Sequence, residues 1–78
     1  MLWLPEVRRI MTSVMAVSLD DIHPETIPNA LPAWDSLTHL MLVVALELEL
    51  GVSFASDEIE RMTSVGAICG IVGSKLGA

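Results

Sequence analysis

Three residues whose side chains could perform nucleophilic chemistry lie close together near the middle of the chain. Asp35, Ser36 and His39 fall within the segment AWDSLTHL, and an acid, a serine and a histidine form the catalytic triad of serine hydrolases. The spacing is poor for that chemistry, because the acid of a triad orients the histidine from behind, whereas here all three share one short stretch. The sequence also has no Gly-x-Ser-x-Gly elbow, and 78 residues leave little room for a substrate cleft. A hydrolase is therefore disfavoured.

The other cysteine, histidine and acidic residues do not form a recognisable metal-binding or catalytic motif. Asp20, Asp21 and His23 lack the ligand number and spacing of a calcium or zinc site. His39 is expected at the edge of the core, and Cys69 is expected to be buried and inert on an apolar helix face. Because a single cysteine cannot form an intrachain disulfide, the sequence favours a reducing compartment and hence a cytoplasmic location.

The composition narrows the fold class and the kind of partner. Hydrophobic residues make up 53% of the chain but aromatic residues only 4%, a balance that favours helices over aromatic and β-branched strands. The net charge is −6 with only four Lys and Arg residues, which disfavours nucleic acid as a partner. The longest apolar run, Leu40 to Leu46, is too short to span a membrane. We expect a single acidic domain over residues 1–78, monomeric, with partners that have basic surfaces.

The hydrophobic pattern and the helix start and stop signals predict four helices. A loop over Ser18–Asp35 separates the first two, because Pro24, Pro28 and Pro32 prevent a continuous helix there. Gly51 is suited to end the second helix. The predicted helices cover Leu4–Val17, Ser36–Leu50, Ser56–Met62 and Ser64–Leu76. The predicted fold is therefore an all-α four-helix bundle of three main helices and a short third helix, with a long loop between helices one and two.

So long a loop is unusual in a small domain and indicates function. We expect Ile22, Ile27 and Leu31 to hold the loop against the core.

The second predicted helix is apolar on two opposite sides. On a helical wheel one stripe comprises Leu42, Val43, Leu46 and Leu50, and the other comprises Leu37, Leu40, Met41, Val44 and Leu48. One stripe is enough to build a core. Either the helix is central and packed on both sides, or the other stripe forms a docking surface. The residues alone leave both interpretations open. An acidic rim beside the helix would come from Glu47, Glu49, Asp57, Glu58 and Glu60.

Together these features resemble the acyl carrier protein family over nearly the whole chain. The stretch WDSLTHLMLVVALELELGVSF is similar to the family signature around its modified serine, and DEIERMTSVGAICGIV is similar to its third and fourth helices. The resemblance implies that a phosphopantetheinyl transferase attaches 4′-phosphopantetheine from coenzyme A to Ser36. It also implies that the chain is not an enzyme but holds acyl intermediates as thioesters for partner enzymes.

The resemblance also implies roles for the residues around Ser36. Asp35 and Leu37 would help the transferase to recognise the serine. The partner-binding residues would be Leu37, Leu40, Met41, Val44, Glu47, Leu48, Asp57, Glu58 and Glu60. They would meet acyl-loading and acyl-transferring enzymes of fatty acid, polyketide or related lipid biosynthesis that have basic or apolar docking patches.

Three residues depart from the family pattern. Met41 and Leu48 stand where fatty-acid carriers usually have acidic residues, and Trp34 replaces a residue that is often small. These departures favour partners other than the usual fatty-acid enzymes. Two alternatives are an unmodified helical interaction module that uses the apolar face of the second helix, and a carrier of peptidyl or aminoacyl groups.

Overall fold

Four α-helices form the fold of residues 1–77, which are the residues described by the computed structural model. No strand occurs within these residues. The helices are α1 (Leu4–Met15), α2 (Ser36–Leu50), α3 (Ser56–Glu60) and α4 (Val65–Leu76), and two 3₁₀ turns, Leu19–Asp21 and Pro28–Ala30, lie in the loop between α1 and α2. The predicted all-α bundle with a short third helix and a long first loop is confirmed.

Helix α1 ends two residues before the predicted end at Val17. Pro5 stands in its first turn, where its missing N–H is not needed, and Glu6 beside it complements the positive end of the helix dipole. Ala16 ends the helix in the left-handed conformation, with φ of 54° and ψ of 42°, and its N–H donates to the Thr12 carbonyl at 2.9 Å. Glycine is the usual residue at such a position, so an alanine there gives no signal in the sequence.

The two C-terminal helices also differ slightly from the prediction. Helix α3 stops at Glu60 rather than at Met62, although Met62 is itself buried in the core. Helix α4 begins at Val65 because Ser64 is its N-cap, with its hydroxyl oxygen accepting the Ala67 N–H at 3.0 Å.

The core lies where α1 packs against α2 and α4. Its apolar side chains come from one face of each helix, and a fully buried side chain of this kind contributes about 1.5–3 kcal/mol relative to an exposed one. The fully buried core residues of the three main helices are Val7, Ile10, Met11, Leu42, Leu46, Val65, Ile68 and Val72. Within the described residues, no helix has the length and apolar character needed to cross a membrane.

The long loop is tied to both the core and the start of α4. Ile22 and Leu31 are buried as predicted, but the prediction for Ile27 is wrong, because its side chain is 45% exposed. The N–H of Gly66 donates to the Pro24 carbonyl at 2.7 Å. A Cβ atom at Gly66 would lie 3.0 Å from that same oxygen, so this close approach of loop and helix favours glycine.

The burial of α2 yields a prediction about two of its leucines. Leu46→Ala is expected to lower the free energy of unfolding by roughly 2–5 kcal/mol, because Leu46 is fully buried and its truncation leaves a cavity. Leu48→Ala is the matched control, since Leu48 is 80% exposed, and it should change the free energy by no more than about 0.5 kcal/mol. Urea unfolding followed by far-UV circular dichroism measures both. A larger loss in Leu48→Ala than in Leu46→Ala would contradict the observed packing.

Candidate functional site

Asp35, and not Ser36, caps the N-terminus of α2. The Asp35 carboxylate accepts the Thr38 N–H at 2.8 Å while the Asp35 backbone is extended, the geometry of an N-cap residue. Ser36 is then the first residue of the helix and is exposed. Its hydroxyl is therefore not needed to start the helix and stands on the outside of the molecule, where another protein can reach it.

The electrostatics at this end of α2 favour an anion. The pKa of Asp35 lies below its ordinary value, mainly because its carboxylate accepts the hydrogen bond from the Thr38 backbone N–H. The Thr38 side chain lowers this pKa further. The first turn of α2 contains no acidic residue. The positive end of the helix dipole and the first-turn N–H groups that Asp35 does not bind are thus available to a negative group attached at Ser36.

His39 is not available to activate Ser36, because hydrogen bonds engage both of its ring nitrogens. Nδ1 accepts the Trp34 indole Nε1–H at 2.9 Å, and Nε2 lies 3.3 Å from the Ile59 carbonyl oxygen. An indole N–H only donates, so the hydrogen-bond partners assign the proton of the neutral ring to Nε2, which donates to Ile59. Asp35, Ser36 and His39 therefore do not form a triad, and His39 is a satisfied histidine at the edge of the core, as expected.

Trp34, whose role the sequence does not reveal, is a core residue. Its side chain is only 3% exposed, and its ring stacks near the His39 ring with the centroids 6.0 Å apart and the planes at 26°. A buried N–H without an acceptor would cost about 1–3 kcal/mol. His39 supplies that acceptor, so the two residues act as a pair.

A cavity of about 700 Å³ lies beside Ser36, between the loop, α2 and the segment around α3. Trp34 and His39 form part of its wall, next to the serine. Its other lining residues are Ile27, Pro28, Asn29, Asp35, Ile59, Glu60, Met62 and Thr63. This wall explains the exposure of Ile27, whose side chain borders the cavity rather than the core.

The two apolar stripes of α2 have different surroundings. Leu42, Val43 and Leu46 are buried, and Leu50 is half-buried against the same core. The opposite stripe is exposed: Leu37 by 69%, Leu40 by 56%, Met41 by 52%, Val44 by 53% and Leu48 by 80%. Contiguous exposed apolar surfaces are common at interaction sites. We call these five residues the exposed α2 face.

Three residues of the predicted acidic rim have structural partners. Glu49 pairs with Arg9 at 2.9 Å between two exposed side chains. The Glu47 carboxylate accepts the Phe54 N–H at 2.9 Å, across the turn that follows α2. The Glu58 carboxylate accepts the Ala55 N–H at 2.8 Å and pairs with Lys75 at 2.8 Å, and the hydrogen bond with Lys75 is the main cause that lowers the pKa of Glu58. An acid three residues after a helix cap is a known capping signal, but the partnership with distant Lys75 leaves no mark in the sequence.

The remaining acids of the rim are more open. Asp57 and Glu60 are exposed, and Asp57 makes only a long pair with Arg61, at 3.5 Å between two exposed side chains. Such exposed pairs contribute little to stability. Among the acids of the rim, Asp57 and Glu60 on α3 therefore have the carboxylates that are least engaged by other described residues.

The remaining candidate chemical groups do not form a site. Burial raises the pKa of the Cys69 thiol and keeps it in its unreactive form. Among residues 1–77, no three His, Cys, Asp or Glu side chains are placed to hold a metal ion. The chemistry of the described residues is therefore concentrated at the Ser36 end of α2.

The Asp35 cap predicts a specific pH dependence of stability. A carboxylate with a lowered pKa in the folded state stabilises the fold above its unfolded pKa, about 4, and that contribution is lost as the pH falls through the lower folded value. Asp35→Asn keeps a capping side chain but removes the titrating group. The variant should match the wild type near neutral pH and lose less stability on acidification. Urea unfolding at neutral and acidic pH measures the difference, and an unchanged acid dependence would contradict the cap assignment.

The chain is similar to proteins of one family in both sequence and structure, although no protein-family model matches it. A curated acyl carrier protein of Picosynechococcus is 32% identical over 74 residues, covering 94% of this chain and 90% of that protein. The solution structure of a holo acyl carrier protein from Geobacter metallireducens matches with a TM-score of 0.89 at 33% identity, covering 97% of this chain and 87% of that one. On this sequence identity and coverage, the chain belongs to the acyl carrier protein family.

Proposed function

We propose that the protein holds acyl intermediates as thioesters on a 4′-phosphopantetheine arm attached to Ser36 and presents them to biosynthetic enzymes. The observation that carries the proposal is the Asp35 cap, which starts α2 and leaves the adjacent Ser36 hydroxyl exposed and unneeded by the helix. Membership of the acyl carrier protein family supplies the prosthetic group and the class of cargo.

The residues present fit such a group. An exposed hydroxyl is accessible to a transferase, and the N-terminus of a 15-residue helix stabilises the negative phosphodiester that would result. The cavity beside Ser36 gives the arm a surface to lie against. When bound, the group supplies a terminal thiol that carries the acyl chain as a thioester, whose carbonyl stays electrophilic.

The chain's own part is to hold and present its cargo, not to catalyse. Both ring nitrogens of His39 are bonded to Trp34 and Ile59, so this histidine is not a base for Ser36. A tether raises the effective concentration of an attached group at each active site that the carrier visits. We therefore propose that every chemical step is performed by a partner enzyme, in the cytoplasm.

The exposed α2 face is the proposed docking surface. It offers five apolar side chains, and no acidic residue lies between Ser36 and Leu46. The acids of the proposed rim stand beyond it, at Glu47, Asp57, Glu58 and Glu60. This arrangement fits partners with an apolar groove and basic groups at its margin. The exposed thioether of Met41 adapts to partners of different shapes.

Asp35 and Leu37 flank the serine, and the proposal gives them a part in recognition by the transferase. Leu37 is 69% exposed beside Ser36, so a transferase that reaches the hydroxyl also meets this side chain. Asp35 combines that position with its role as the helix cap. The proposed partners are this transferase and the acyl-loading and acyl-transferring enzymes of lipid, polyketide or related biosynthesis.

The proposal predicts modification at one serine. Incubation of the purified protein with coenzyme A and a broad-specificity phosphopantetheinyl transferase should increase its intact mass by one phosphopantetheine group. Ser36→Ala should abolish the increase. Ser56→Ala is the matched control, because Ser56 is also an exposed first residue of a helix, and it should leave the increase intact.

Two outcomes would contradict this prediction. The wild-type protein could fail to gain mass, which would favour an unmodified interaction module. Alternatively, Ser36→Ala could gain as much mass as the wild type, which would place the attachment elsewhere. Circular dichroism of Ser36→Ala verifies that a lost modification does not reflect a lost fold.

A further inference from the structure

Helix α3 does not hold its position by burying side chains. It contains five residues, Ser56–Glu60, and none of these described residues is buried. Ile59 packs against the edge of the core but stays half-buried. Helices this short are not stable by themselves in water. The place of α3 in the fold therefore depends on the polar contacts that it makes with neighbouring elements.

The Glu58 carboxylate makes the contact between α3 and α4. It pairs with Nζ of Lys75 at 2.8 Å, and the two side chains are only 17% and 25% exposed. Both other ion pairs within the described residues join side chains that are at least 42% exposed, and solvent and salt weaken such open pairs more. The same carboxylate accepts the Ala55 N–H at 2.8 Å. One carboxylate thus both starts α3 and ties it to α4.

Lys75 has a second contact, with Phe54. Its ammonium lies 5.7 Å from the centroid of the Phe54 ring, within the range of a cation–π interaction. Phe54 is buried, and its backbone N–H donates to Glu47 of α2 at 2.9 Å. Lys75 is the only lysine of the chain and stands in the last turn of α4. It therefore connects α3 to α4 and to the segment that follows α2.

The charges of α3 explain why this cation is needed. Three of its five residues are acidic, Asp57, Glu58 and Glu60, and like charges on so short a helix repel one another. Arg61 makes only a long contact with Asp57, at 3.5 Å between exposed side chains. The hydrogen bond from Lys75 is instead the main cause that lowers the pKa of Glu58, so Glu58 is ionised at neutral pH and the pair stays charged.

We infer that Lys75 and Glu58 are positioning residues: their ion pair holds α3 against the last turn of α4, and so fixes one wall of the cavity beside Ser36 and the acidic surface that α3 presents to partners. Ile59 and Glu60 of α3 line that cavity. Neither member of the pair touches a reacting atom. The consequences for an attached arm and for partners rest on the proposed function, whereas the hold on α3 does not.

Nuclear magnetic resonance relaxation of the backbone amides of the unmodified protein tests the hold on α3. Lys75→Met keeps an unbranched side chain but removes the ammonium. In this variant the order parameters of the α3 amides should fall from about 0.85 to below about 0.6, or relaxation dispersion should appear there. The amides of α1 should remain as in the wild type, because α1 is held by buried side chains.

Three further variants separate the pair from a general effect of lost charge. Lys75→Arg keeps a cation and should restore the wild-type relaxation of α3. Arg61→Met is the matched control, because it removes one positive charge next to α3 from an open pair with Asp57, and it should leave α3 unchanged. Glu58→Gln keeps an acceptor for the Ala55 N–H but not the charge. It should loosen α3, and Lys75→Met added to it should loosen α3 little further.

The effect on partners is measured with a phosphopantetheinyl transferase. Lys75→Met should raise the apparent KM for the carrier by about threefold or more, because a loosened surface must be ordered on binding. It should leave kcat unchanged, since Ser36 and its Asp35 cap are untouched. Lys75→Arg should restore the KM, and Arg61→Met should raise it less than Lys75→Met does.

Defined results would overturn the inference. Unchanged α3 relaxation in Lys75→Met would do so, as would equal loosening in Arg61→Met or a failure of Lys75→Arg to restore the wild-type values. An unchanged KM in a variant whose α3 has loosened would overturn the part that concerns partners. Because the relaxation measurement needs no modification, a failure of Ser36 to accept phosphopantetheine would contradict the proposed function and leave the test of the hold on α3 intact.

Discussion

Burial of one side of α2 is the constraint on which the rest of the molecule depends. Leu42, Val43 and Leu46 pack into the core and so fix the rotation of the helix about its own axis. Because α2 is apolar on both sides, that rotation leaves the exposed α2 face in water. Each large apolar side chain left exposed forgoes about 1.5–3 kcal/mol of burial, which is reasonable where a partner covers it for part of its working cycle. The same rotation sets Ser36 on the outside.

The two residues before the serine are occupied by the fold, and this leaves the serine free. Asp35 caps α2 through Thr38, and Trp34 is buried and bonded to His39. The loop that brings them there is fixed in turn by its bonds to the start of α4. The proposed attachment point therefore stands on a well-anchored helix end, whereas the opposite wall of the cavity is a helix of only five residues. Sites on rigid elements are positioned more accurately than sites on loops.

The sequence predicts the helices well where local chemistry marks their ends, as at both ends of α2, where Asp35 precedes the helix and Gly51 follows it. It fails where the cause is distant or atypical: Ala16 ends α1 without being glycine, and Ile27 turns to the cavity rather than the core. Helical periodicity separates the two stripes of α2 but does not say which one is buried. The family resemblance implied that the stripe with Leu42 and Leu46 faces the core, and that stripe is the buried one. The link from Trp34 through His39 to Ile59 spans five residues and then twenty, at no helical or strand spacing, so no pattern could reveal it.

The central claim is that the two sides of α2 divide the work, one forming the core and the other meeting partners. Chemical-shift mapping of the protein on titration with a phosphopantetheinyl transferase tests this most directly. The account predicts the largest changes at the exposed α2 face and around Ser36, with smaller changes at the buried residues of the same helix. Changes centred instead away from α2, around Met1, Leu2 and Gly70, would contradict it.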